Sequence, residues 1–278
     1  MAGHILVKNL QNKSSEWNVI SVARNTSIIN PTFILDVTDF DSLKKLIETQ
    51  SPDIIINCIG LLNETAESNP GQAILVNSYL PHYLVALTKE IKTKIIHIST
   101  DCVFSGKEGS YLESSTKNGL GYYSQSKSLG EINNSKDLTF RTSIIGPELN
   151  ENGIGLFHWM VNQKKEVFGF EKAYWTGVTT LELSYAIMHA ISENLTGLYH
   201  LVFDQKISKC ELLNIINKEF SLGLNVIPND KYSIDKSLIN TRNDFGFKVK
   251  SYEGMINEMH SWIIMNQELY PHYRGKLF

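Results

Sequence analysis

From Asn18 to Ile144, short apolar runs alternate with stretches of helical periodicity. Ile95-Ile96-His97-Ile98 reads as a buried strand that ends at a polar cluster, Ser99-Thr100-Asp101. Ile54-Ile55-Ile56-Asn57-Cys58-Ile59-Gly60 is a continuous apolar run, as expected of a parallel strand covered on both faces. Gly60 ends it where backbone must approach a ligand closely. Asn18–Ala23, Leu138–Ile144 and Gly197–Leu201 read as further strands. Helices are predicted over Ile5–Leu10, Phe40–Gln50, around Ala73–Asn77, and over Pro81–Ile91, Leu181–Ile191, Ser208–Phe220 and Glu253–Met265. Lys172–Thr180 is aromatic and irregular, and the aromatic tail to Phe278 reads as packed. The alternation predicts an α/β fold: a doubly wound parallel sheet with a smaller C-terminal α/β lobe and a cleft at the strand ends. The expected division is residues 1–146 as the dinucleotide-binding domain. Residues 147–278 are then mostly a substrate lobe, with segments returning to the first domain.

Composition narrows the classes. The chain has 278 residues, 42% of them hydrophobic, with 26 basic against 29 acidic groups and a net charge of −3. That balance implies no polyanion partner, so no nucleic acid. Three cysteines, Cys58, Cys102 and Cys210, lie far apart with neither metal nor disulfide spacing, which suits a reducing cytoplasm. Cys102 reads as a small buried filler rather than a nucleophile. No apolar run approaches the ~18 residues of a membrane span.

Tyr123 and Lys127 stand at i and i+4, so on a helix both lie on one face. A free tyrosine titrates near roughly 10, and a nearby ammonium favours the phenolate and moves that value towards neutrality. A hydroxyl from Thr100 could share the same substrate oxygen. This is equipment for moving a proton on or off a carbonyl oxygen while hydride moves on carbon. The spacing alone is weak, because a solvated lysine beside a half-buried tyrosine is common. Arg24, just past the Asn18–Ala23 strand, is either a surface arginine or a group suited to the extra phosphate of NADP. Asp39 either shares a role with Asp36 or caps the helix Phe40–Gln50.

Ser99-Thr100-Asp101-Cys102-Val103-Phe104-Ser105-Gly106, then Tyr123-Ser124-Gln125-Ser126-Lys127, then Phe140-Arg141-Thr142-Ser143 resemble the extended short-chain dehydrogenase/reductases. Within that superfamily they are most similar to the dTDP-4-dehydrorhamnose reductase branch. The resemblance implies NADPH or NADH as cofactor and a nucleotide sugar as substrate, with Thr100, Tyr123 and Lys127 as catalytic residues. It places Gly3, Arg24, Asp36, Val37, Cys58, Ile59, Gly60, Asn77, Ser99, Asp101, Tyr123 and Lys127 around the cofactor. Thr100, Asp101 and Trp175 fall to the substrate, and no metal is implied. The activity expected is reduction of a nucleotide-linked 4-keto-6-deoxy sugar for surface polysaccharide precursors, in a cytoplasmic protein, with a homodimer a possible assembly. The resemblance leaves two alternatives: a nucleotide-sugar epimerase, and a non-catalytic regulatory subunit of the same fold. Dehydratases resemble T-D-E-V-Y, and Cys102 stands at their carboxylic acid.

The start of the chain departs from the pattern. A dinucleotide-binding domain opens on a buried strand and a glycine-rich turn, whereas Met1-Ala2-Gly3-His4 resembles only the tail of such a turn. In the strand order 3-2-1-4-5-6 the first strand is central. The expectation is therefore that Val19–Val22 and Ile54–Ile56 each lack a neighbour, with low stability and weak cofactor binding as the result.

Overall fold

The computed structural model describes residues 2–13, 15–25 and 30–278. Its central sheet has four parallel strands in the order β3 (Ile54–Asn57), β4 (Lys94–Thr100), β5 (Leu138–Thr142) and β9 (Gly197–His200). All five residues of β5, and all but Ile98 of β4, are buried. This is the covered, two-faced environment that their apolar runs predict. Beside this sheet, β1 (Val22–Ala23) and β2 (Phe33–Ile34) form a separate parallel pair. Among the described residues β1 pairs only with β2, and β3 only with β4. The missing neighbour expected between them is therefore seen in the pairing, and Ile54–Ile56 are only half-buried.

Several predicted strands are shorter than their apolar runs. β1 keeps two residues of Asn18–Ala23, because a ladder runs along one side only. β3 ends at Asn57, whose side-chain oxygen accepts a bond from the Ile59 amide at 3.1 Å. That local bond replaces the ladder and frees Cys58–Gly60 as a loop. The run Leu138–Ile144 breaks at Ser143, and Ile144–Ile145 (β6) pairs instead with Val178–Thr179 (β8).

Helices cover the sheet. α1 (Ala2–Gln11) is fixed by Asn9, which donates to Ser184 at 2.8 Å and accepts from Trp262 at 3.0 Å. α2 (Phe40–Gln50) is capped by Asp39, which accepts from the Ser42 amide at 3.2 Å, so capping is the role the geometry supports. α3 (Asn63–Ser68) and α4 (Pro70–Ala73) lead into a π-helical segment, Ile74–Tyr79, and on to α5 (Leu80–Leu87). The helix predicted to run to Ile91 stops early, where Thr88 turns its hydroxyl back to the Leu84 carbonyl at 3.0 Å. α6 (Gly121–Leu129) carries Tyr123 and Lys127.

Further along the chain come α7 (Leu156–Val161), α8 (Thr180–Ser192), α9 (Lys209–Glu219) and α10 (Tyr252–Met265); α8 packs against α1 and α10, and α9 packs against α10 and a second sheet. That sheet joins β7 (Glu166–Trp175), β10 (Ile207–Ser208) and β11 (Asn225–Asp235). Lys172–Trp175, expected to be irregular, lies in β7, which buries Val167, Gly169, Ala173 and Trp175 and exposes Glu166, Phe168, Glu171 and Lys172; β11 escapes sequence reading because Pro228 and a bulge between Asn229 and Ser233 interrupt it. The aromatic tail is packed, with Tyr270 and Tyr273 fully buried. No helix of the described residues is long and apolar enough to cross a membrane.

Candidate active site

β4 delivers Thr100 and Asp101 to the carboxyl edge of the central sheet, where ligands sit in open α/β folds. The Thr100 hydroxyl donates to Asp101 at 3.1 Å and accepts from the Cys102 amide at 3.1 Å, which closes a one-turn 3-10 helix, Asp101–Val103. Tyr123 brings its phenol close enough to the same threonine for the hydroxyl to act on it. Four residues on, the Lys127 ammonium donates to the Ile98 carbonyl at 2.6 Å.

α6 is held in place at both ends. At its start Gly121 has φ of +85°, a conformation that suits glycine. The orphan amides of Tyr122 and Tyr123 donate to the Glu67 carboxylate at 3.1 and 3.0 Å. A carboxylate there also meets the positive end of the helix dipole. At the other end, a Cβ on Gly130 would lie 1.8 Å from the Asn77 carbonyl oxygen, so only glycine lets α6 reach the π-helical segment. Asn77 then ties the pieces together. Its side chain accepts from the Leu61 amide at 2.8 Å and donates to the Leu61 carbonyl at 3.0 Å and to Ser126 at 3.1 Å. A Cβ on Gly60 would meet Asn77 at 3.3 Å and the Lys127 nitrogen at 3.9 Å.

Burial dominates the electrostatics. It lowers the Lys127 pKa to about 8, against the opposing pull of Glu131 and Cys58. It raises Tyr123 well above its usual value, reinforced by Cys102 and Asp101 and only partly offset by the Thr100 hydrogen bond. This reverses the expected direction. Lys127 directs its charge to the Ile98 carbonyl rather than to the phenol, and Tyr123 remains a protonated donor. Burial also pushes the Cys102 and Cys58 thiols up to about 11, so neither is a thiolate at neutral pH. No cluster of metal-ligating side chains occurs among the described residues.

A model of the RmlD substrate binding domain matches residues 2–236. The chain belongs to that family. It is 34% identical over 103 residues to a probable low-salt glycan biosynthesis reductase, Agl14, of Haloferax volcanii; the match covers 36% of this chain and 34% of that protein. Across the first curated relatives the chain spans 34% to 45% of their length. Among solved structures, a hypothetical dTDP-4-dehydrorhamnose reductase from Sulfolobus tokodaii superposes with a TM-score of 0.77 at 29% identity, over 91% of this chain and 95% of that one. The dTDP-4-dehydrorhamnose reductase of Bacillus anthracis, in complex with NADP, gives 0.79 at 21% identity over 94% and 95%, and shows the fold.

The residues singled out in the sequence fall into three places. Thr100, Asp101, Tyr123, Lys127, Cys58, Gly60 and Asn77 converge, and Gly3 on α1 lies beside Cys58, 3.7 Å from its Cβ to the position a Cβ on Gly3 would take. Ile59 is 39% exposed on the same loop. Arg24 and Asp36 form a second group at the ends of β1 and β2: Thr38 binds the Asp36 carboxylate from its amide at 3.0 Å and its hydroxyl at 2.7 Å, and together with Arg24 lowers its pKa. Val37 packs into the small core under α2. Two residues stand apart. Ser99 donates to Glu131 at 2.7 Å, and Trp175 is only 3% exposed. Sequence reading missed Glu67, which comes from another helix, and Lys209, whose ammonium covers the Trp175 ring at 4.8 Å. The Ser208–Glu211 capping box was legible and would have placed Lys209 at the first turn of α9.

Glu67→Ala should destabilise the fold by about 0.5–2 kcal/mol, the usual loss for a helix cap, and loosen the register of Tyr123. Denaturant melts would read the first effect. Retention of full stability would show that the Glu67 contacts contribute nothing.

Proposed function

We propose that this chain is an NAD(P)H-dependent reductase of a nucleotide-linked 4-keto-6-deoxy sugar. One observation carries the reading: a phenol that keeps its proton and a threonine hydroxyl come together at the end of β4, and a lysine ammonium is bonded to the Ile98 carbonyl beside the loop that ends at Gly60. The residues fit a nicotinamide dinucleotide. Gly60 presents bare backbone next to Lys127, and the first turn of α1 approaches the end of β3 at Cys58. When bound, the dihydronicotinamide supplies hydride to the ketone carbon.

Tyr123 gives its phenolic proton to the oxygen that gains the electron pair, so the ketone becomes an alcohol. Its raised pKa keeps that proton in place until the oxygen becomes basic. Thr100, already bonded to Asp101, aligns the carbonyl with the phenol. Lys127, bonded to the Ile98 carbonyl, offers its remaining donors to the cofactor ribose. Arg24 and Asp36 would lie at the adenosine end. The three free cysteines are consistent with a cytoplasmic setting.

The test is direct. NADPH and NADH are offered in turn with a dTDP-4-keto-6-deoxyhexose, and loss of cofactor absorbance is followed. Stoichiometric oxidation of at least one cofactor is expected. Binding of cofactor without turnover of any nucleotide-4-keto sugar would overturn the reductase and leave the regulatory subunit.

A further inference from the structure

Between Ile95 and Ile98, His97 is the only polar residue in a run that otherwise suits a covered parallel strand. Its ring is fully buried, and among the described residues its Nε2 has no hydrogen-bond partner. A buried ring with one nitrogen unused is costly where an isoleucine would fit. The other nitrogen must then supply something that an aliphatic side chain cannot.

That nitrogen, Nδ1, lies 3.2 Å from the Asn57 amide nitrogen. The two residues are register partners on β4 and β3. Asn57 is 3% exposed, and its side-chain oxygen accepts the backbone amide of Ile59 at 3.1 Å. This last bond fixes the orientation of the whole chain of groups. A backbone amide can only donate, so the Asn57 oxygen faces Ile59 and the NH2 group faces His97. An NH2 group can only donate as well, so Nδ1 is a bare acceptor and the ring proton sits on Nε2. The other tautomer would set two donors against each other. Turning the Asn57 amide over would only move that clash to Ile59. Burial first, then Lys127 and His82, hold the His97 pKa well below the ordinary histidine range, so the ring stays neutral at pH 7.

The chain His97–Asn57–Ile59 ends in the loop that follows β3. The far end of that loop is tied by Asn77, which accepts from the Leu61 amide at 2.8 Å and donates to the Leu61 carbonyl at 3.0 Å. Gly60 lies between the two anchors, and a Cβ there would stand 3.9 Å from the Lys127 nitrogen. Resting on the reading of Cys58–Gly60 as backbone that the cofactor meets, we infer that His97 is a positioning residue for the cofactor loop: its bare Nδ1 fixes the Asn57 amide, which fixes the Ile59 amide and so the near end of the loop. Being fully buried, it acts through Asn57 and not by contact with the dinucleotide.

The experiment compares His97→Leu with His97→Asn. The two side chains are close in size and shape, so both leave a similar gap where the imidazole was. Asparagine returns an oxygen to the place of Nδ1, whereas leucine removes the acceptor and is the better residue for a strand core. His97→Leu should weaken NADPH binding about 3- to 10-fold, as for loss of one neutral hydrogen bond. It should also speed hydrogen exchange of the Ile59 amide, while melting no lower than His97→Asn. His97→Asn should recover most of the affinity. With a keto sugar present, the loss should fall on the KM for NADPH rather than on kcat. Asn57→Leu should weaken NADPH similarly, and adding His97→Leu to it should cost nothing further, because both remove the same bond. Equal NADPH affinity in the two His97 variants would overturn the inference, as would unchanged Ile59 exchange in His97→Leu. A long-range 1H–15N spectrum of the unaltered chain tests it without a variant: the proton is expected on Nε2, and a proton on Nδ1 would overturn it. If the unaltered chain binds neither NADPH nor NADH, the cofactor reading fails instead, and Ile59 exchange still decides whether His97 fixes the loop.

Discussion

Tyr123→Phe should slow carbonyl reduction by about 10²- to 10⁴-fold, the usual contribution of a positioned proton donor, with little effect on stability or cofactor affinity. The phenol is the group that reaches the Thr100 hydroxyl, and burial holds its proton at neutral pH. Phenylalanine keeps the ring and its packing and removes only that proton. Single-turnover oxidation of NADPH separates this loss from slow product release. Turnover within a factor of two or three of the parent would assign the proton to another group. The pH profile adds a second reading. Lys127 is charged below its folded pKa of about 8, so the hydrogen bonds that it would offer the cofactor ribose are present below that value and weaken as pH rises through it. The rate should therefore fall on the alkaline side. Glu131 and Cys58 are the titratable groups that act on Lys127, and both oppose the lowering.

Arg141→Met should cost about 3–5 kcal/mol of stability, because it strips a buried carboxylate of its two-pronged partner and leaves it only Lys117, at 3.1 Å, and the Ser99 hydroxyl. Arg141 on β5 is 1% exposed and clasps Glu131 through two bonds of 2.7 Å each. It also meets the His200 ring nitrogen at 2.8 Å and lies over Phe104, 5.0 Å from the ring centroid. Glu131 in turn receives the Ser99 hydroxyl, so the pair braces the end of β4 that carries Thr100. Urea unfolding measures the loss. Combining Arg141→Met with Glu131→Leu should recover part of it by removing the orphaned charge. A single-mutant loss under about 1 kcal/mol would show that water replaces the arginine. Burial raises the Glu131 pKa, but the Arg141 bonds and charge outweigh it and the net shift is downward. The pair therefore contributes stability above the ordinary carboxylate range, and loses it as pH falls through the folded value.

Local chemistry along the chain was enough to fix the strands of the sheet and the face of the catalytic helix. The apolar runs at Ile54–Ile56, Ile95–Ile98 and Leu138–Phe140 can be satisfied only in a covered parallel sheet, and the structure pairs them in that order. Spacing put Tyr123 and Lys127 on one helical face, and Asp39 was readable as a cap.

Whatever depends on residues distant in the chain was settled by packing. Glu67 caps the catalytic helix from another helix, because α3 and α6 pack side by side and the orphan amides of Tyr122 and Tyr123 need an acceptor. The direction of the Tyr123 shift came from burial, which no i,i+4 pattern records. Trp175 is buried for the same reason. Aromatic character marked Trp175 in the sequence, but β7 turns it into the core, and the pairing of β7 with β10 carries the start of α9 over it. Whether a side chain lines a cleft or supports the residue that does is set by which elements pack against its strand, and that information is not local.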